Sequence, residues 1–156
     1  MSAEPDQLPA VAARLTIATR DLGARTVGAD EIITFPLGLA GFNQCRRYVL
    51  LAYPQPAPLL CLQSVDREEV AFVVTDPANV VADYQPRAIN GAMSELEITD
   101  SQDLLILVIL TIPPGHPEQT TANLQGPLII NTRLRRGKQL ILDDSRYSLK
   151  HRILVK

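Results

Sequence analysis

The sequence predicts a mainly β protein: a single domain of about eight to ten short antiparallel strands in a barrel-like sheet, with one or two short helices. The stretch from Thr120 to Tyr147 holds two apolar, β-branched runs separated by a polar turn, the pattern of a long hairpin. Twelve prolines and eight glycines are scattered along the chain, which fits short strands better than long helices. Because an isolated hairpin is marginally stable in water, other apolar runs must supply the strands that cover it.

Length and composition indicate one domain with a buried core, since the chain has 156 residues. Residues 1 to 13 lack a periodic apolar pattern, so we expect a disordered extension there and a folded β domain from 14 to 156. The N-terminus has neither the basic nor the apolar region of a secretion signal. The longest apolar run, Leu104 to Leu110, is far shorter than the ~20 residues of a transmembrane helix. We therefore expect a cytoplasmic protein that does not enter a membrane.

The folded part begins with a predicted hairpin. Leu15 and Ile17 mark its first strand, Arg20 to Gly23 forms the turn, and Ala24 to Gly28 returns. Asp30 then predicts a cap for one short helical turn.

The segment Phe35 to Phe42 (FPLGLAGF) is predicted to be an ordered loop with unusual apolar content. Gly38 and Gly41 prevent regular structure, and the lack of a following Lys and Ser/Thr pair argues against a phosphate-binding loop. Two interpretations stay open. The aromatic residues either close one end of the sheet or form an exposed surface for a protein partner.

The middle of the chain predicts three more strands, apolar at most positions, and a rigid loop formed by Pro54, Pro56 and Pro58. Asp76 and Pro77 fit the cap and first position of a short helical turn through Val80. The three strands are Arg47 to Tyr53, Leu59 to Val65 and Val70 to Thr75.

The second half predicts a short helix followed by the most apolar strand. Ile89, Met93 and Leu96 recur at helical spacing, which predicts an amphipathic helix from Asn90 to Leu96. The remaining strands are Leu104 to Ile112, then Pro127 to Thr132 and Lys138 to Leu142, with Arg135, Arg136 and Gly137 as the turn.

The sequence contains no recognisable catalytic or metal-binding pattern. His116 and His151 are the only histidines, each next to a turn and without an adjacent nucleophile. Cys45 and Cys61 provide no zinc spacing and no disulfide framework, so we expect reduced thiols in or near the core. We therefore predict no enzyme activity, no metal and no cofactor.

Charge is distributed unevenly along the chain. Residues 1 to 132 hold 7 Lys/Arg and 15 Asp/Glu, a net of −8, whereas residues 133 to 156 hold 8 and 2, a net of +6. This basic strip could bind RNA or an acidic protein, or it could be a solvated strand face. Because only Tyr147 offers a stacking ring within it, we expect no direct nucleic-acid binding. The strip consists of Arg133, Arg135, Arg136, Lys138, Arg146, Lys150 and Arg152.

Three blocks carry a resemblance to a known family. They are FPLGLAGF, then LLCLQSVDREEVAFVVTDP from Leu59 to Pro77, then TANLQGPLIINTRLRRGKQLILDDSRYS from Thr121 to Ser148. In order and spacing they resemble the bacterial flagellar assembly factor FliW, with similarity from about Leu15 to His151. One departure is Glu97, at a position where the family usually ends its helix with glycine, so the end of the helix is expected to differ or the helix to run on.

The resemblance implies a barrel-like β fold and a regulatory function. FliW-like proteins bind the translational repressor CsrA and inhibit it, which relieves repression of flagellin mRNA. In the family this inhibition is described as allosteric. Flagellin competes for FliW, which closes a feedback loop. The resemblance therefore implies CsrA and flagellin as partners, and we expect a monomer. The alternative is a flagellin-directed chaperone that does not bind CsrA.

Two groups of residues are predicted to contact a partner. One is the apolar loop, and the other is a set of polar positions within the matched blocks. For Gln63 and Asn123 a structural role is an open alternative, as a partly buried strand residue and as a partner of turn backbone groups. The predicted contacts are Phe35, Leu37, Leu39, Phe42, Gln63, Asp66, Asn123, Arg133, Arg135 and Lys138.

Overall fold

The structure, a computed structural model, describes residues 13–54 and 59–153. This part of the chain contains ten strands, one α-helix and several single turns of 3₁₀ helix. The helix, α1, spans Ala88–Glu95. The strands are β1 (Arg14–Ile17), β2 (Arg25–Gly28), β3 (Ile33–Thr34), β4 (Arg47–Ala52), β5 (Leu60–Ser64), β6 (Ala71–Thr75), β7 (Leu104–Thr111), β8 (Thr121–Asn131), β9 (Arg136–Gln139) and β10 (His151–Arg152).

Seven strands close into a barrel, which confirms the predicted fold class. The ring runs β8-β7-β6-β5-β4-β3-β9 and returns to β8, because β9 pairs with both β3 and β8. The closing contact is parallel, with Thr34 of β3 opposite Arg136 of β9. It is the only parallel pairing among the described strands, in a sheet that is otherwise antiparallel, as predicted. Strands β1 and β2 form a separate hairpin, and β10 pairs with the outer part of β8.

The long strand β8 organises the sheet. Residues 128–131, at its C-terminal end, pair with β9, and residues 121–122, at its N-terminal end, pair with β10. Its register against β7 shifts between Leu107 and Ile109, opposite residues 124–127 of β8, which include Gly126 and Pro127. A Cβ on Gly126 would lie 2.7 Å from Nδ2 of Asn123, and Pro127 has no N–H to donate to a neighbouring strand. Strand β8 accommodates both residues because they lie where the regular pairing with β7 is interrupted.

The continuous apolar runs have both faces covered. Leu128 and Ile130 of β8 point into the barrel, where they pack with Phe35, Tyr48 and other core residues. Ile129, between them, faces outward and packs under α1. Because neighbouring strand residues alternate between faces, a sheet covered on both sides favours continuous apolar runs such as this one.

Helix α1 begins two residues earlier than predicted and ends at Glu95. Glu97 follows the C-cap with φ 59°, and two hydrogen bonds close the end: Ile98 N–H to the Met93 carbonyl (2.8 Å) and Glu97 N–H to the Ser94 carbonyl (3.1 Å). This is the Schellman arrangement, in which glycine is usual at the left-handed position. The helix therefore stops here although a glutamate occupies that position.

The predicted turn of the long hairpin is shifted. It spans Thr132 to Arg135, and the residue with positive φ is Arg135 (56°). Gly137, predicted to provide that conformation, lies within β9 against the Phe35 ring, where a Cβ would meet Cε2 at 2.5 Å. The glycine is therefore needed for space.

Other local predictions have mixed outcomes. Asp76 caps the turn Pro77–Asn79 by accepting the Ala78 N–H at 2.8 Å, as predicted. Asp30 lies within the turn Ala29–Glu31 and does not cap it. Two predictions concern residues outside the described ranges. The disordered extension was predicted for residues 1–13, of which 1–12 are not described, and Pro56 and Pro58 of the predicted rigid loop lie in the gap 55–58.

Both cysteines are buried free thiols.

Candidate partner-binding groove

The apolar loop between β3 and β4 has a fixed conformation. Gly38 and Gly41 both have positive φ, 68° and 82°. At Gly38 a Cβ would lie 2.5 Å from the Asn43 Cα, so both conformation and space require glycine. Phe42 N–H donates to the Leu39 carbonyl at 2.7 Å. The loop therefore presents its side chains in defined directions.

The loop residues divide into buried and exposed members. Phe35 and Leu39 belong to the barrel core, and the Phe35 ring packs edge-on against Tyr48 at 5.6 Å between centroids. Their burial removes both from the surface that a partner could touch. Leu37 is 73% exposed and Phe42 is 41% exposed. Each interpretation of the loop thus applies to part of it. Phe35 and Leu39 close the core, whereas Leu37 and Phe42 form an exposed surface.

Leu37 and Ile141 line one shallow groove. Ile141 is 74% exposed, and these two are the most exposed large apolar side chains of the described chain. The groove has a volume of about 340 Å³ and is completed by Ala40, Asn43 and Gln139. Two large apolar side chains exposed beside one groove are typical of a surface that binds protein. We name it the Leu37–Ile141 groove.

Ile141 was absent from the predicted contacts. Leu140 and Leu142 on either side are buried under α1, so alternation turns Ile141 outward. Gln139 joins the two walls, because its Oε1 accepts the Ala40 N–H at 2.8 Å. The alternation in Leu140-Ile141-Leu142 was the signal that could have identified Ile141, whereas no sequence pattern indicates the contact of Gln139 with a loop 99 residues away.

Charged side chains border Ile141 on its other side. Arg87, Asp144 and Arg146 line an adjoining depression that also includes Ile141. Arg146 Nη2 pairs with Asp144 Oδ2 at 2.8 Å, and hydrogen bonds from Arg146 hold the pKa of the Asp144 carboxyl below its usual value. An apolar centre with a charged, solvated rim is the usual composition of a protein interface.

Three predicted polar contacts have structural partners. Gln63 is fully buried; its Nε2 donates to the carbonyls of Glu68 (3.0 Å) and Val70 (3.2 Å), and its Oε1 accepts the Arg20 N–H. It therefore fixes the β5–β6 connection to the N-terminal hairpin and is not accessible. Asn123 Oδ1 accepts the Gln125 N–H at 3.0 Å, the turn role left open above. Asp66 pairs with Arg47 at the surface.

Two of the three predicted basic contacts pair with carboxylates, and the third, Arg135, bonds to a backbone carbonyl. Arg133 pairs with Asp103 at 3.5 Å, and Lys138 Nζ pairs with Glu95 Oε1 at 2.6 Å. Arg135 Nη2 donates to the Glu31 carbonyl at 2.7 Å. These groups fasten α1 and the neighbouring loops to the barrel. The strip therefore carries less free positive charge than its sequence indicates.

The described residues contain no metal-binding cluster. No group of three or more His, Cys, Asp or Glu side chains in residues 13–54 and 59–153 could hold a metal ion. His116 is exposed and pairs with Glu118 at 3.3 Å, and His151 lies on β10. None of the helices in these residues has the length and apolar character to traverse a bilayer.

Comparison with known proteins gives a consistent result. The sequence model of the FliW protein family matches residues 16–153. The chain is 40% identical to the flagellar assembly factor FliW of Natranaerobius thermophilus over 137 residues, covering 88% of this chain and 91% of the relative. Identity to the FliW of Thermotoga maritima is 38% over 130 residues, covering 83% and 87%. A crystal structure of the flagellar assembly factor FliW superposes with a TM-score of 0.79 at 35% identity, covering 90% of this chain and 97% of the other.

Proposed function

Because this chain belongs to the FliW family of flagellar assembly factors, we propose that it binds the translational repressor CsrA and flagellin, and that the Leu37–Ile141 groove contacts a partner. A flagellar assembly factor has a regulatory or chaperone-type role and not a catalytic one. The proposed action is a partner switch in the cytoplasm. When flagellin accumulates before export it occupies this protein, CsrA is released onto flagellin mRNA, and synthesis falls.

The observation that carries the proposal is the position of Leu37 and Ile141. Each is almost three-quarters exposed, and both line one groove whose walls are joined by the Gln139 to Ala40 hydrogen bond. Burying one such side chain in an interface contributes about 1.5–3 kcal/mol. The fixed loop conformation also lowers the entropy lost on binding.

A partner switch needs only binding equilibria. If flagellin and CsrA exclude each other from this protein, the concentration of free flagellin sets the fraction available to CsrA. No proton transfer or bond cleavage is involved.

Direct RNA binding is not supported by the arrangement of the cations. Arg133, Arg136, Lys138 and Arg146 each lie within 4 Å of a carboxylate oxygen. A phosphate backbone would have to displace these carboxylates, so the charge available for counterion release is small.

Calorimetry with purified CsrA and purified flagellin, added separately and then in competition, tests this function. We expect both to bind and each to reduce binding of the other. Binding of flagellin alone would replace the proposal with the flagellin-directed chaperone, and binding of neither would reject both. A steep fall in CsrA affinity with added salt would indicate that charge dominates, against a groove built on apolar contact.

A further inference from the structure

A gap in the barrel wall separates the ends of β6 and β7. The ladder between these strands begins at the pair Val73 and Leu110. Before Val73, strand β6 includes Ala71, which is paired with β5 and not with β7. After Leu110, strand β7 includes Thr111, which is paired with β8 and not with β6. Each strand is therefore held by its outer neighbour while the two separate from each other.

The backbone of β6 is directed into this gap. Ser64 N–H donates to the Val70 carbonyl at 2.9 Å, across the β5–β6 pair. Because successive carbonyls of an antiparallel strand point in opposite directions, the Ala71 carbonyl points away from β5. Arg20 Nη1 donates to it at 2.7 Å. A side chain thus occupies the position that a backbone N–H of an adjacent strand would take.

Apolar side chains line the space between the two strands. The gap forms a cavity of about 420 Å³ at the surface, bordered by Phe42, Phe72, Ile109 and Ile112. The Phe42 and Phe72 rings pack edge-on with centroids 5.2 Å apart. Phe42 is 41% and Ile112 is 39% exposed. A backbone acceptor beside apolar side chains provides the two kinds of contact by which an extended peptide adds to a strand.

We propose that the β6–β7 gap binds an extended peptide segment with apolar side chains at alternate positions, and that Arg20 closes the gap in the free protein. The incoming backbone donates to the Ala71 carbonyl in place of Arg20, and one apolar side chain packs between Phe42 and Ile112. The Arg20 guanidinium stays paired with Asp21, which lies 3.1 Å from it. Proline-rich and helical segments do not fit, because they cannot present backbone donors to a strand edge. This site is separate from the Leu37–Ile141 groove and does not depend on the function proposed for that groove.

Selection of linear peptides of about ten residues from a random phage library tests the proposal, with the wild-type protein and Arg20→Ala as separate baits. We expect enriched peptides with alternating apolar residues and without proline. Measured by fluorescence anisotropy, a selected peptide should bind Arg20→Ala roughly threefold to tenfold more tightly than wild type, because one competing hydrogen bond is removed. Ile112→Lys should weaken binding at least about tenfold.

Two controls accompany these measurements. Leu149→Ser changes an exposed apolar residue outside the gap and should bind the peptide like wild type. Thermal melting followed by circular dichroism establishes that each variant is folded, and Ile112→Ser replaces Ile112→Lys if the lysine prevents folding. The proposal is overturned if neither bait enriches peptides, if Ile112 variants bind as tightly as wild type, or if Arg20→Ala gives no gain in affinity.

Discussion

Nδ2 of the fully buried Asn131, at the end of β8, donates a hydrogen bond to the carbonyl of Leu96, the C-cap of α1, at 2.8 Å. The same side chain accepts, through Oδ1, the N–H groups of Arg133 (2.9 Å) and Leu134 (3.0 Å) in the turn that follows. One amide therefore joins the end of the helix to the turn of the long hairpin. Both elements lie beside the strand that leads to Ile141.

Asn131→Ala should destabilise the protein by about 2–4 kcal/mol, because it leaves a buried helix carbonyl and two turn N–H groups without their partner. Urea unfolding gives the free energy of unfolding directly. Asn90→Ala, an exposed position on α1, is the matched control and should change stability by less than about 0.5 kcal/mol. Equal effects of the two substitutions would contradict the role of Asn131.

Glu97→Gly should stabilise the protein by about 1 kcal/mol, because the glutamate holds a left-handed conformation that glycine adopts without steric cost. The substitution also removes an exposed ion pair with Arg136 at 3.8 Å, which contributes little. Glu95→Gly, at the last helical residue, should instead destabilise by about 1 kcal/mol through lower helix propensity, together with the small loss of its exposed pair with Lys138. Thermal unfolding of both variants distinguishes the positions, and opposite signs are the expected result.

Lys138→Glu should lower stability by about 0.5–1 kcal/mol by placing a second carboxylate beside Glu95. The exchanged double variant Lys138→Glu with Glu95→Lys should regain most of this loss. If the pair only fastens α1 to β9, CsrA and flagellin should bind the exchanged variant like wild type. Weakened partner binding by a stable charge-reversed variant of Arg135 and Lys138 would instead support these two as contacts.

Asp21→Asn should reduce stability at pH 7 by no more than about 1 kcal/mol, since the Asp21 side chain is partly exposed and its pairing with Arg20 is screened by solvent. The hydrogen bond from Arg20, aided by one from Tyr53, holds the pKa of Asp21 below its ordinary value of 3.8. A carboxyl pKa that is lower in the folded than in the unfolded protein stabilises the folded state at pH values above 3.8. This stabilisation is lost as the pH falls through the pKa of the folded protein. The difference between wild type and Asp21→Asn should therefore shrink below pH 4, and a constant difference in acid unfolding curves would contradict this assignment.

Most strand positions were predictable because their cause is local, although β8 begins at Thr121 and not at Pro127, and β9 ends at Gln139, before the predicted apolar run 140–142. Ile129 between Leu128 and Ile130 requires a sheet covered on both faces, and the structure has the barrel interior on one side and α1 on the other. Asp76 before Pro77 is likewise a complete capping signal within two residues.

Features that depend on distant contacts were not predictable. Gly137 looks like a turn glycine in the sequence, and only the position of the Phe35 ring shows that it provides space. The groove needs Gln139 to meet Ala40, a contact with no periodic or compositional signal. The apparent basic strip is partly neutralised by Glu95, Glu97 and Asp103, which are distant in sequence and adjacent in space.

The decisive test of the groove is calorimetric titration of CsrA and of flagellin into wild type, Leu37→Ser, Ile141→Ser and the control Leu149→Ser. The first two substitutions lie in the groove and the third is an equally apolar exposed residue outside it. We predict that each groove variant loses roughly tenfold or more in affinity for at least one partner while its melting temperature stays unchanged, and that Leu149→Ser binds like wild type. Wild-type affinity of both groove variants for both partners would show that partner binding occurs elsewhere.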